Sequence, residues 1–150
     1  MKLESPAFAE GAPIPKKHSC EGADVSPPLT ISGVPAAAHS LALLCEDPDA
    51  PGGMWVHWVL FNLPPKTASL PEGLAKTQFV AGAVQGLNDF GRLGYGGPCP
   101  PPGKPHRYFF KLYALSAALA LEPGAERAAV LAAMKGRALA ESALMGSFAR

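Results

Sequence analysis

Five side chains able to do acid–base chemistry interrupt apolar stretches of this sequence. Asp47 and Asp49 lie in Asp-Pro-Asp-Ala-Pro (47–51), His57 lies inside Met54–Leu63, and His106 and Tyr108 open the run His106–Leu115. Each alone has an ordinary reading. Aspartate and proline are turn residues, and a lone histidine on an apolar face is most often a satisfied core residue. Together they offer more. Two imidazoles and a phenol suit a phosphate or carboxylate, and two carboxylates would orient the imidazoles and favour their charged forms. Asp47 and Asp49 sit two apart in or near extended backbone, where alternate residues point the same way.

The loop before His106 reads Gly94-Tyr-Gly-Gly-Pro-Cys-Pro-Pro-Pro-Gly103. Glycines let backbone N–H groups approach a ligand, successive N–H groups can form an anion nest, and prolines stiffen a loop at low entropic cost. So many ordered prolines also predict one or more cis X–Pro bonds in the Asp-Pro or Pro-Pro segments. Two other chemistries stay open. The His, Asp and Tyr set could run acid–base hydrolysis of a phosphoester or acyl bond, with Cys99 the best nucleophile candidate. Two histidines and an aspartate are also the donor set of a metal-binding facial triad. No dinucleotide fingerprint, phosphate-binding P-loop or G-x-S-x-G nucleophile elbow is present, and no cofactor is expected.

These residues need strands to position them. Met54–Leu63 is the strongest, with Trp55, His57, Val59 and Phe61 on one face and Met54, Val56, Trp58 and Leu60 on the other. Both faces are apolar, so this strand is expected to be central and covered on both sides, with Trp55, Trp58 and Phe61 in the core. In His106–Leu115, one face carries His106, Tyr108, Phe110 and Leu112. The other, with Arg107, Phe109, Lys111 and Tyr113, looks half solvated. Ser40–Cys45 reads as a buried strand, and Leu29–Ile31 and Gln78–Gln85 as shorter ones. Ala125–Lys135, stopped by Gly136, is the one convincing helix, and Arg137–Arg150 is read as a returning strand.

Composition bounds the rest. The chain has 17 prolines and 16 glycines in 150 residues, well above the usual share of about 12%. That excludes a helix bundle, disfavours a doubly wound α/β fold and leaves an all-β domain with ordered loops, or partial disorder. Charged residues are 17% and the net charge is +1, which excludes nucleic-acid binding through bulk charge. No apolar run approaches the roughly 18 residues of a membrane span. Met1–Gly11 contains Glu4, Pro6 and Glu10 and no apolar stretch of a secretory leader. A cytoplasmic protein is therefore expected, with Cys20, Cys45 and Cys99 reduced: three cysteines without C-x-x-C spacing make neither a zinc site nor a disulfide framework.

Several short motifs follow one another along the chain: Cys20-Glu-Gly22, Ser26-Pro-Pro-Leu29, Asp47–Pro51, Trp55-Val-His-Trp58, Gly86-Leu-Asn88, Gly94–Pro102 and His106–Leu115. Their order and spacing resemble the phosphatidylethanolamine-binding protein family, in its prokaryotic Raf-kinase-inhibitor-like branch, from residue 5 to residue 149. Ile31 and Ser116 depart from the common pattern, and neither is a pocket position. The resemblance implies an antiparallel Greek-key β-sandwich with one or two short peripheral helices, in a single domain of residues 1–150. It implies a small, metal-free pocket for phosphate, acetate or phosphorylated head groups, made by Asp47, Asp49, Pro51, Trp55, His57, Gly96, Pro98, His106 and Tyr108, with no settled catalytic activity. Eukaryotic members are associated with kinase and protease inhibition, so a kinase or protease is the protein partner it suggests. A homodimer, and a Cys20–Cys99 disulfide should the fold bring the two close, stay open.

Overall fold

Ser40–Asp47 is buried at all eight positions, as its continuous apolar run requires of a strand covered on both faces. The computed structural model describes residues 1–150. Its strands are β1 (Lys2–Glu4), β2 (Leu29–Ser32), β3 (Ser40–Asp47), β4 (Trp55–Leu63), β5 (Ser69–Leu70), β6 (Phe79–Val80), β7 (Ala83–Gln85), β8 (His106–Leu115) and β9 (Ala138–Phe148). One helix, α1 (Arg127–Met134), and a 3-10 turn at Lys16–His18 complete it. A three-stranded sheet has the order β1-β2-β5 and a six-stranded sheet the order β6-β7-β4-β3-β8-β9. All pairings between named strands are antiparallel.

Strands β3, β4 and β7 lie side by side, and β8 returns to the far side of β3. This is Greek-key order. The returning connection is the Gly- and Pro-rich segment 86–105, so it must cross the end of the sheet where β3 stops and β4 and β8 begin.

The main core lies between the two sheets. Leu3, Leu29, Ile31 and Leu70 from the small sheet meet Leu41, Leu43, Trp58, Leu60, Phe110 and Leu112 from the large one. A second cluster covers the opposite face of the large sheet, where Ala42, Leu44, Val59 and Phe61 pack under Val130 and Met134 of α1. Each fully buried leucine contributes about 2 kcal/mol. Glu46, only 1% exposed, points to that second side. Its carboxylate pairs with Lys111 Nζ at 2.8 Å and with the Arg127 guanidinium, which fastens α1 to β3.

The expected strands and helix are present, with refinements. Gln78–Gln85 is not one strand but the hairpin β6–β7. Ala81 and Gly82 both take positive φ (53° and 75°), as a two-residue turn matched to strand twist needs. The simple alternation expected for β4 is broken. Cys45 pairs with Trp58 while Glu46 pairs with Val56, so His57 is the extra residue of a bulge. Val59 and Phe61 consequently face the helix side, opposite His57 and Trp58.

Two expectations are corrected. Every peptide bond is trans. Cys20 and Cys99 are not reduced but joined in a disulfide, 79 residues apart in sequence, and only the buried Cys45 is free. Sequence spacing could not show that the segment around the 3-10 turn packs on the returning loop, where Cys20 N–H donates to the Pro98 carbonyl at 3.0 Å. Closing a loop of that length is worth about 4 kcal/mol against the unfolded chain. No helix is long and apolar enough to cross a membrane.

Candidate functional site

The antiparallel register brings the C-terminal end of β3 beside the N-terminal ends of β4 and β8: Asp47 pairs with Trp55, and Glu46 with Phe109. Asp47, Trp55, His57, His106 and Tyr108 therefore converge on one end of the sheet. There they line a cavity of about 190 Å³ together with Pro51. Ala50, Phe90, Cys99, Pro100 and Pro101 complete the wall.

His106 Nδ1 donates to Asp47 Oδ2 at 2.7 Å. The other oxygen, Oδ1, accepts the Asp49 backbone N–H at 2.7 Å, a local turn that an aspartate before proline favours. His57 Nδ1 lies 2.6 Å from the Gly96 carbonyl, which can only accept, so Nδ1 carries the proton. Gly96 N–H donates back to the His57 carbonyl at 2.9 Å. Both imidazoles thus commit Nδ1 to the protein, and Nε2 is the nitrogen each has left for a ligand. The bulge at His57 turns its ring toward Tyr108 and Phe90, which it meets edge-on at centroid distances of 5.1 and 5.5 Å.

Tyr108 is 1% exposed, and its hydroxyl is buried without a hydrogen-bond partner. Burial first, and the nearby Asp47 charge second, push the phenol pKa well up, so it stays a donor. Burial pulls His57 below the usual histidine range. That reverses the expectation that the carboxylates would favour both charged imidazoles: desolvation outweighs the attraction of Asp47 at His57.

Three expected pocket residues do not line the cavity. Asp49 turns outward and grips Arg107, with Oδ2 accepting from the Arg107 backbone N–H and Nε and Oδ1 from Nη2, each at 2.9 Å. Arg107 holds the Asp49 carboxyl down at about 2. The two aspartates diverge because Asp47 ends β3 while Asp49 lies in the turn beyond it. Gly96 acts behind His57, and Pro98 faces Cys20. Two of the glycine N–H groups expected to face an anion are already used. Gly96 N–H is spent on His57, and Gly97 N–H on Asp24 Oδ1 at 2.7 Å. Glycine at these positions serves close packing: a Cβ on Gly96 would strike the Phe90 ring, and one on Gly97 the His18 carbonyl.

Sequence reasoning missed Phe90. Its neighbourhood, Asn88-Asp89, carried the only signal: Asn88 Oδ1 caps Phe90 N–H at 2.9 Å, and Asp89 Oδ2 accepts from Val56 N–H at 2.7 Å. Trp55, expected in the core, sits 38% exposed on the cavity rim, against Phe90. Cys99, the nucleophile candidate, is held in the disulfide. No three His, Cys, Asp or Glu side chains are placed to hold a metal ion together.

The two-sheet antiparallel sandwich is the architecture that known proteins share with this chain. The sequence profile described as phosphatidylethanolamine-binding protein matches residues 4–149, and the chain belongs to that family. An archaeal relative from Methanothermobacter thermautotrophicus, named only as a UPF0098 protein, is 51% identical over 100% of this chain and 99% of its own. The crystal structure of a putative phosphatidylethanolamine-binding protein homologue from Chlamydia trachomatis superposes with a TM-score of 0.92 at 45% identity, covering 99% of this chain and 97% of that one. Escherichia coli YbcL, described as a new member of the mammalian family, superposes with a TM-score of 0.92 at 36% identity, covering 99% and 98%.

Proposed function

We propose that the cavity binds a small anion, a phosphate, a phosphorylated head group or a carboxylate, and takes up protons as it does so. The observation that carries this reading is the buried, unpartnered Tyr108 hydroxyl beside two imidazoles whose Nδ1 atoms are already committed. A buried donor without a partner is costly, and an anion oxygen would satisfy it.

The proton coupling follows from the tautomers. With Nδ1–H given to Gly96 and to Asp47, each neutral ring presents a lone pair at Nε2. A ring must gain a proton before it can donate to an anion. No lysine or arginine lines the cavity, and Arg107 is turned away to Asp49. Imidazolium is thus the positive charge available, with Asp47 opposing it, and a singly charged anion fits better than a doubly charged one.

Dimethyl phosphate, whose charge is constant across the range, is the cleanest probe. NMR titration should shift the His57 and His106 ring resonances. Affinity at pH 5.5 should exceed that at pH 8 by about tenfold or more, the effect of roughly one linked proton. Absence of shifts at both rings, or a pH-independent affinity, defeats the proposal.

A further inference from the structure

We propose that the Cys20–Cys99 disulfide is a thiol–disulfide exchange site, opened by a dithiol reductant, whose opening releases one wall of the cavity. Only its ligand-binding consequence rests on the anion-binding reading above.

Both cysteines are solvent-exposed, so a reductant can reach the bond. Cys99, Pro100 and Pro101 form one side of the cavity. The loop on either side of that wall is held very differently. Upstream, Tyr95 Oη donates to the His18 carbonyl at 2.6 Å, Gly97 N–H to Asp24 at 2.7 Å, and Cys20 N–H to Pro98 at 3.0 Å. Downstream, residues 100–102 are three prolines with no N–H to give. Beyond the disulfide and the packing of the buried Pro100, the hydrogen bonds there are long ones with Arg150: its Nη1 reaches the Pro100 carbonyl at 3.5 Å, and its carbonyl takes Gly103 N–H at 3.3 Å. The disulfide is therefore the main tether of the Cys99–Pro101 wall, while His57 keeps its own link to Gly96.

Arg150 also sets the direction of the exchange. Its Nη1 lies 3.6 Å from Cys99 Sγ. A neighbouring guanidinium stabilises a thiolate, and the better-stabilised thiolate is the better leaving group. One thiolate of the reductant attacks Cys20 Sγ, the S–S bond breaks, and its electron pair leaves on Cys99 Sγ beside Arg150. The second thiolate of the reductant then attacks its own sulfur in the mixed disulfide and expels Cys20 as thiolate. The reductant departs as a cyclic disulfide. Two electrons pass to the protein, and two protons complete Cys20 and Cys99 as thiols.

The test uses the whole chain, dithiothreitol and iodoacetamide without denaturant. Mass spectrometry should find alkylation at Cys20 and Cys99, with the buried Cys45 unmodified and the near-ultraviolet circular dichroism retained. Arg150→Gln should slow reduction several-fold and Arg150→Lys less. In the ligand-free protein, reduction should shift the His106 ring and Trp55 indole resonances and leave Trp58 in place. Dimethyl phosphate should bind about tenfold more weakly to the reduced form, as expected if the wall is ordered roughly a tenth of the time. Native protein that resists alkylation, or that loses its tertiary signal on reduction, makes the bond a structural staple and overturns the proposal. Unchanged His106 and Trp55 resonances overturn the release of the wall, and equal rates in the Arg150 variants overturn the assigned leaving sulfur. If neither redox form binds dimethyl phosphate, the anion reading falls while the exchange and the ligand-free shifts still stand.

Discussion

Asp47 Oδ2 and His106 Nδ1 are 2.7 Å apart, on side chains only 4% and 12% exposed. The pair links the last residue of β3 to the first residue of β8, so it closes one end of the sheet as well as orienting an imidazole toward the cavity. Asp47→Ala removes a buried hydrogen bond to a charged group and should cost about 2 kcal/mol in urea denaturation. Nitrogen NMR of the His106 ring should show the proton fixed on Nδ1 in the parent and released from that position in the variant.

The outward-facing Asp49 predicts a different dependence. Its carboxyl is held at about 2 by the hydrogen bonds and charge of Arg107, below the usual carboxylate value. A depressed folded pKa stabilises the native state above the unfolded pKa, and that contribution disappears as pH falls through the folded one. The pair is solvent-accessible and screened, so about 0.5 kcal/mol is expected. The stability difference between parent and Asp49→Asn should be complete above about pH 4 and vanish near pH 2, and added salt should reduce it.

His57 has the same sign, displaced into the neutral range. Burial lowers its folded pKa, so between the folded and unfolded values the unfolded chain binds more protons. Stability then rises with pH across that interval and is lost on acidification below about 6.5, the unfolded value. Urea midpoints measured between pH 5 and 7.5 should slope upward in the parent and less steeply in His57→Gln. Saturating dimethyl phosphate should flatten the parent slope, because the bound anion favours the protonated ring.

Gly97 tests the close approach of two segments. A Cβ there would run into the His18 carbonyl and the Asp24 carboxylate, and the first of these is backbone held in place by the Tyr95 hydroxyl. Gly97→Ala should cost about 2 kcal/mol, at the level of an overpacked core substitution. Gly91→Ala meets nothing within 4 Å but sits at φ 77°, so its smaller cost separates backbone strain from steric overlap in the same denaturation experiment.

Much of the frame was legible because local chemistry and tertiary packing agree. The apolar run in β3, the alternation in β8 and the helix stopped by Gly136 each demand one kind of burial, and the fold supplies it. The set Asp47, His57, His106 and Tyr108 was legible for the same reason: each polar group interrupts an apolar strand near its end, and an antiparallel register of three strands brings those ends together, whereas Trp55, which strand alternation put in the core, was placed at the pocket only by the family resemblance. The segment Gln78–Gln85 was read too simply, because nothing in its composition distinguishes a strand from a hairpin turning at Ala81-Gly82.

What the sequence by itself determined was therefore which residues form strands and which chemical groups lie at their ends, since side-chain period and polarity are local properties. Only the tertiary structure decided where those groups point. A bulge that opposes two residues to one placed His57 beside Tyr108 and sent Val59 to the other face. Two aspartates two residues apart found different partners, His106 and Arg107, on a neighbouring strand. Two of the glycine N–H groups that composition offered to a ligand went to His57 and Asp24. Two cysteines 79 residues apart met because the 3-10 turn packs on the returning loop. Each outcome depends on contacts between segments distant in the chain, whose geometry exists only once the two sheets have closed on their common core.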